Sequence, residues 1–251
     1  MSLCNKLLPI IVLVIGLGCL PKSLADDFVV GVENLHYYPH FSDKGGEYEG
    51  FARAVLDAFA KEYKHKFSYE ARPVARLHDE FLNRGKFDFK YPDNRYWQAD
   101  IKQGKNVIYS EPVVAYIDGV MVLPAKKGKG EEHLKTLGTI RGFTPWTYMQ
   151  QIEAGTIRVQ ESSDFERLLK MAINSRIDGA YLNIDVARYQ LQTTIEDKNA
   201  LVFDDSLPFT KDNYHLSTLK HGEVIQQFNR FLSENRDLID KLKQDYGLAV
   251  D

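Results

Sequence analysis

The residues best suited to chemistry in this sequence gather in three short stretches. KYPDNRYW (90–97) sets Asp93 and Asn94 among tyrosines and Trp97, NLHYYPHFS (34–42) holds Tyr38, Phe41 and two histidines, and RGFTPWTY (141–148) holds Gly142, Phe143, Thr144 and Trp146. Asp93 and Asn94 are hydrogen-bonding groups beside an aromatic wall, which suits ligand capture. They suit a plain structural role as well, with Asp93 capping the next helix and Trp97 filling a core. In RGFTPWTY, Thr144 before Pro145 reads as an N-cap with proline at the first helical position. The free N–H groups of such a helix, approached past Gly142, would take a carboxylate or another anion. An ordinary capped helix with Trp146 in the core accounts for the same residues. His36 and His40 are four apart, but Pro39 breaks a helix through them and no Cys or acid completes a ligand set, so no metal is expected.

The ends and totals narrow the field. MSLCNK carries one lysine, LLPIIVLVIGLGCL is apolar, and Ser23-Leu24-Ala25 fits a small-x-small cleavage site, so 1–25 reads as a signal peptide and the chain as exported to the periplasm. Gly16 and Leu17 fit lipid attachment at Cys19 poorly. Both cysteines, Cys4 and Cys19, fall in the removed segment, which excludes a disulfide scaffold, thiol catalysis and cysteine metal sites. The formal charge of −3 becomes more negative without Lys6 and Lys22, which argues against a nucleic-acid partner. Beyond the leader there is no H-E-x-x-H, G-x-S-x-G, glycine-rich phosphate loop or C-x-x-C, so no cofactor is expected.

The elements that must position these loops alternate in an α/β pattern. DFVVGVE, KFSYEA and KFDFKY read as strands, followed by DGVMVLP, LKTLGTIRG and RIDGAYLNI. GFARAVLDAFAKEY places Phe51, Val55, Phe59 and Tyr63 on one face and Arg53, Asp57 and Lys61 on another, an amphipathic helix covering a sheet. RLHDEFLNRG reads as a short helix stopped by Gly85, and SSDFERLLKMAINS carries a capping box from Ser163 to Glu166. The tail reads as two amphipathic helices ending at Gly247. In open α/β sheets ligands gather beyond the carboxyl ends of strands, where all three loaded loops fall.

In this order, the whole chain after residue 25 resembles the family 3 bacterial periplasmic solute-binding proteins, the amino-acid-binding type. The resemblance is carried by VVGVE…YYPHFS…GEYEGFARAVLDAFA, by EFLNRGKFDF, by VIYSEPVVAYIDGVMV, by LKTLGTIRG and by FERLLKMAINSRIDGAYLN. It implies a two-lobed periplasmic binding fold (type II) with a ligand cleft between lobes joined by two hinge crossings. Lobe 1 would span 26–114 plus 212–251, lobe 2 120–205, and the hinge 115–119 and 206–211. It implies capture of a small polar ligand by lobe closure, and a monomer that presents it to an inner-membrane ABC permease or a sensor protein. A periplasmic dehydratase-like enzyme on the same fold and an adaptor without a ligand are the alternatives.

Departures from the family pattern bear on the ligand. The family's carboxylate-gripping Arg has no counterpart at its spacing in YPDNRYWQADIKQGK, where Arg95 is the nearby candidate. The family's acid for the ammonium group aligns with Asn183, with Asp185 two residues on; an Asn cannot supply the charge, so Asp93 or Asp185 takes its place or the ligand is not an ordinary α-amino acid. The ligand-binding set expected is thus Tyr38, Phe41, Asp93, Asn94, Trp97, Tyr116, Gly142, Phe143, Thr144, Trp146, Asn183 and Asp185, with Tyr181 among the cleft aromatics. Such a lining suits a ring-bearing or cationic ligand.

Overall fold

The structure, a computed structural model, describes residues 26–43 and 45–250; the predicted signal segment lies outside the described residues. In chain order β1 (Asp27–Glu33) leads to the short pair β2 (His36–Tyr37) and β3 (Phe41–Ser42), then α1 (Phe51–Tyr63), β4 (Lys66–Arg72), α2 (Val74–Leu82) and β5 (Phe89–Asp93). After α3 (Ala99–Lys102) and β6 (Ile108–Tyr109), the long strand β7 (Val114–Val122) crosses to a second half. That half holds β8 (Thr136–Ile140), α4 (Met149–Glu153), β9 (Arg158–Ser162), α5 (Phe165–Ile173), β10 (Gly179–Asn183), α6 (Ile184–Thr193) and β11 (Val202–Phe203). β12 (Thr210–Thr218) returns the chain to the first half, where α7 (Gly222–Glu234) and α8 (Arg236–Asp245) follow.

The main strand path runs β4-β1-β5-β12-β7-β10-β8-β9. β1 is parallel to β4 and β5, and β8 is parallel to β9 and β10, so each half keeps a parallel block with helices to cover it. The blocks meet through one antiparallel pair, β7 with β12, registered from Val114↔Tyr214 to Asp118↔Thr210. Beyond it β12 turns to β5 and β6, and β7 turns to β10. The β7–β12 pairing covers 114–118 and 210–214, and ahead of it 204–207 is a turn held by Asp204, whose Oδ1 accepts from the Ser206 N–H and hydroxyl.

The predicted apolar stripe of α1 is the buried one: Phe51, Val55 and Phe59 go into the core with Ala52, Leu56 and Ala60. Burying a phenylalanine contributes roughly 1.5–3 kcal/mol, so this face sets how the helix lies on its sheet. Gly50 precedes it at φ 101, and a Cβ there would stand 2.8 Å from the Phe41 Cα. Glycine thus lets β3 run against the helix start and seats Phe41. Two helix starts differ from expectation. α5 is capped by Asp164, not Ser163: its carboxylate accepts from the Arg167 N–H at 2.8 Å, a stronger acceptor one residue nearer the helix. α2 begins at Val74 and ends at Leu82, ahead of Gly85.

Candidate functional site

The carboxyl ends of β1, β5, β8 and β10 point at one place, where the β7–β12 pair crosses between the halves. A cleft of about 820 Å³, its open mouth included, occupies it. β1 delivers Glu33 as its last residue, β5 delivers Pro92, the turn after β8 delivers Gly142, Phe143 and Thr144, and β10 delivers Tyr181 and Leu182. The wall is aromatic. Tyr116 and Tyr214 stack at 4.4 Å, with Trp97 at 6.0 and 5.8 Å from them. Tyr37 stacks on Phe41 at 5.0 Å and meets Phe143 of the other half edge-on at 5.9 Å. Trp146, 58% exposed, stands on the lining with its indole largely in solvent.

Two acids face this wall. Glu33 is buried, and no described residue donates a hydrogen bond to its carboxyl. Burial raises its pKa to about 7, against an opposing pull from Lys90 and with a smaller push from Asp93. Asp118, on β7, is raised to about 7 by burial, and its Oδ1 is buried without a hydrogen-bond partner. His78 also lines the cleft; burial, with Lys90 beside it, holds it at about 3, so it is neutral.

The structure places the predicted residues in two groups. Phe41, Trp97, Tyr116, Gly142, Phe143, Thr144 and Trp146 line the cleft, as does Tyr181. Asp93, Asn94, Asn183, Asp185 and Tyr38 do not, and each has a physical reason. Asp93 is wholly buried inside β5, where Oδ1 accepts from Lys102 Nζ at 2.8 Å with Lys90 Nζ at 3.4 Å, and Oδ2 accepts from the Ser217 hydroxyl at 2.7 Å. Burial opposes its charge, but the two lysines and Ser217 outweigh that and hold its pKa below the ordinary value. It caps no helix. Asn94 ties the same turn together, its amide donating to the Asn213 carbonyl and its oxygen accepting from the Tyr96 N–H. Asn183 is the N-cap of α6, its oxygen accepting from the N–H groups of Asp185 and Val186 at 2.9 and 3.1 Å. Asp185, in the first turn of α6, lies 3.8 Å from His40 and 3.5 Å from Arg188. Tyr38 packs outside the cleft on Tyr189 at 4.6 Å. Arg95 is exposed, its guanidinium over the Tyr109 ring.

The anion site expected at Thr144 is not built. The first helical residue is Trp146, in a single 3₁₀ turn, with no side-chain cap, and the Thr144 carbonyl accepts from the Trp146 N–H. Pro145 at ψ 74 stays outside the helix, so the free N–H groups of a long helix are missing here.

Sequence reasoning missed Glu33, Tyr37, His78, Asp118, Thr210 and Tyr214. Glu33 was legible as the last residue of a strand whose follow-on loop was already suspect, and Tyr37 as the neighbour of Tyr38 on the opposite face. Asp118 lies in a crossing read as hinge, where an acid between Ile117 and Gly119 gave no sign of facing a cavity.

No family model matches the chain, and no curated protein matches it significantly. Solved structures do. The GluR0 ligand-binding core in complex with L-glutamate aligns with TM-score 0.69 at 12% identity, over 90% of this chain and 99% of that one. An ancestral arginine-binding protein bound to arginine aligns with TM-score 0.68 at 18% identity, over 88% and 97%. An ancestral amino-acid-binding protein, described as a precursor of cyclohexadienyl dehydratase, aligns with TM-score 0.66 at 20% identity, over 88% and 95%. The chain thus has the two-lobed type II periplasmic-binding fold, with the aromatic cleft between its lobes.

Proposed function

We propose that this protein is an exported solute-binding protein that captures a small ligand in the aromatic cleft and presents it, closed, to an inner-membrane ABC permease or a membrane sensor. The observation that carries this reading is the cleft itself: both lobes line it, its wall is aromatic, and Oδ1 of Asp118, one of its two acids, is buried without a hydrogen-bond partner. The division proposed is lobe 1 from 26–114 with 212–251, lobe 2 from 120–205, and a hinge in the paired strands β7 and β12. Two long strands paired side by side bend together, which suits closure as a rigid-body motion. Tyr37 against Phe143 and Phe165, and His40 beside Asp185, are contacts that opening of the lobes would break. The protein acts as a monomer in this reading.

The test is mass spectrometry of small molecules released when the purified protein is denatured, together with thermal shifts over amino acids, amines, peptides and sugars. A released or stabilising small molecule supports capture; none from either experiment overturns it. A second reading, a dehydratase-like enzyme, is favoured by one observation. Glu33, with a pKa of about 7 in a cleft, is poised for proton transfer. Turnover of a prephenate-like substrate, abolished by Glu33→Gln, supports that reading, and its absence removes it.

A further inference from the structure

We propose that the ligand is an organic cation without a carboxylate, an amine or quaternary ammonium with an apolar body, held by Asp118 and Glu33 inside the wall of Tyr37, Trp97, Tyr116 and Tyr181. This inference rests on the solute-binding reading and names its ligand class.

The first ground is what the lining lacks. Among the described residues that line it, the charged groups are Glu33 and Asp118, and none is a Lys or Arg. The lysines nearest the floor are engaged: Lys102 Nζ donates to Asp93 and to the Asn94 carbonyl at 2.6 Å, and Lys90 Nζ donates to the Pro92 carbonyl. A ligand carboxylate entering here would meet two acids and no cationic side chain, the arrangement a buried anion tolerates least.

The second ground is the balance of charge. At pH 8, where Glu33 and Asp118 are both mostly ionised, Glu33, Asp93 and Asp118 stand against Lys90 and Lys102, since His78 is neutral. Asp93 is matched by Lys102, and Lys90 acts on both Asp93 and Glu33. One negative charge is left over, and its place is Asp118, whose Oδ1 has no partner in the protein. A single positive charge on the ligand closes the set. Glu33, 94% buried, adds a second acid on the cleft floor, and buried polar groups in a finished site are hydrogen-bonded.

The third ground is the wall. Faces and edges of tyrosine and tryptophan attract a cation, and more strongly once closure has removed water. The same rings cover an apolar body of about the size of a leucine or phenylalanine side chain within the cleft.

The test uses matched pairs that differ by a carboxylate: phenethylamine with phenylalanine, isoamylamine with leucine, and choline with glycine betaine. Titration calorimetry and thermal shift at pH 8 are run on the purified chain, with mass spectrometry of what denaturation releases. The expected result is that at least one amine or quaternary probe binds about tenfold or more tighter than its carboxylated partner, or that the released molecule is a cation without a carboxylate. Asp118→Asn is expected to weaken that binding about tenfold or more, and Asp118→Glu to keep part of it. Tighter binding of any carboxylated partner, or release of a carboxylate or an uncharged solute, overturns this inference and leaves solute binding standing. Silence from all six probes with nothing released overturns both. Should Asp118→Asn fail to fold, the wild-type comparison within pairs decides.

Discussion

Asp93 and Asp118 are carboxylates of the same kind, on neighbouring parts of one sheet, and the protein treats them oppositely. Asp93 has two lysines and a serine on it, and its pKa is held down. Asp118 has an Oδ1 left without a donor, and burial lifts both it and Glu33 to about 7. A buried charge that the chain fully satisfies serves the fold; one that it leaves wanting serves whatever arrives from outside. Asp93 and Asn94, the polar pair that looks most like a binding site, are therefore scaffold beside the cleft, and the proposed site uses acids that the sequence hides in strands.

The largest effect expected from this contrast is on stability at Asp93. Asp93→Ala leaves Lys90 and Lys102 buried without their counter-charge and is expected to cost about 3–5 kcal/mol, read by urea unfolding. Asp118→Asn removes a charge that has no partner, so the unliganded protein is expected to unfold at the same temperature or higher while ligand binding suffers. An Asp118→Asn protein as unstable as Asp93→Ala would erase the distinction between the two acids.

Next in size is the pH dependence of the unliganded protein. Glu33 and Asp118 keep protons in the folded state that the unfolded chain releases near its ordinary carboxylate values. Their contribution to stability is therefore present below those values and is lost as pH rises to and through about 7. For Glu33 alone the loss is about 3 kcal/mol at most. The buried histidines pull the other way. His40, lowered to about 4 by burial against an opposing pull from Asn183 and with Asp185 nearby, and His78, lowered to about 3 by burial with Lys90 and Lys102 against Asp93, destabilise the fold as pH falls below 6.5. The two effects offset each other between about pH 4.5 and 6.5, and the acids act alone above that. Melting temperature is thus expected to be flat in the first window and to fall from pH 6.5 to 8. In the double variant Glu33→Gln with Asp118→Asn it is expected to rise with pH and then level off. A falling curve in the double variant would locate the effect in other groups.

How much of this was readable beforehand divides along the same line. The stripe of α1 and the α/β alternation followed from apolar periodicity and strand punctuation, because burying an apolar face is a local, repeated signal. Phe41, Trp97, Tyr116 and Phe143, four of the aromatics expected at the cleft, do line it. Asp93 could not be read correctly, since its partners are Lys102, at the end of α3, and Ser217, on the neighbouring strand β12 but far away in sequence, and only the fold brings them onto it. Glu33 and Asp118 were missed for the converse reason: a missing partner is a property of three dimensions and leaves no mark on spacing.

A smaller effect separates Asn183 from the cleft acids. Its side chain satisfies two N–H groups at the start of α6, so Asn183→Ala is expected to cost about 1 kcal/mol of stability, measured by urea unfolding. Asn183→Asp keeps the cap and adds charge at a favourable helix end. If the alignment with the family's ammonium-binding acid reflected ligand contact, Asn183→Asp would change affinity strongly. The geometry predicts that affinity moves far less than with Asp118→Asn.

The smallest effect is expected at Thr144. It lines the cleft, yet its hydroxyl caps no helix, and the 3₁₀ turn that follows starts two residues later. Thr144→Ala is therefore expected to shift stability by no more than about 0.5 kcal/mol, since no cap is lost. It should also leave the preference for amines over their carboxylated partners unchanged, because that preference comes from the acids on the cleft floor. A drop in stability of about 1 kcal/mol or more would restore Thr144 as a helix cap. A carboxylated ligand that binds the parent and is lost on Thr144→Ala would move the ligand's anchor from the floor of the cleft to its rim.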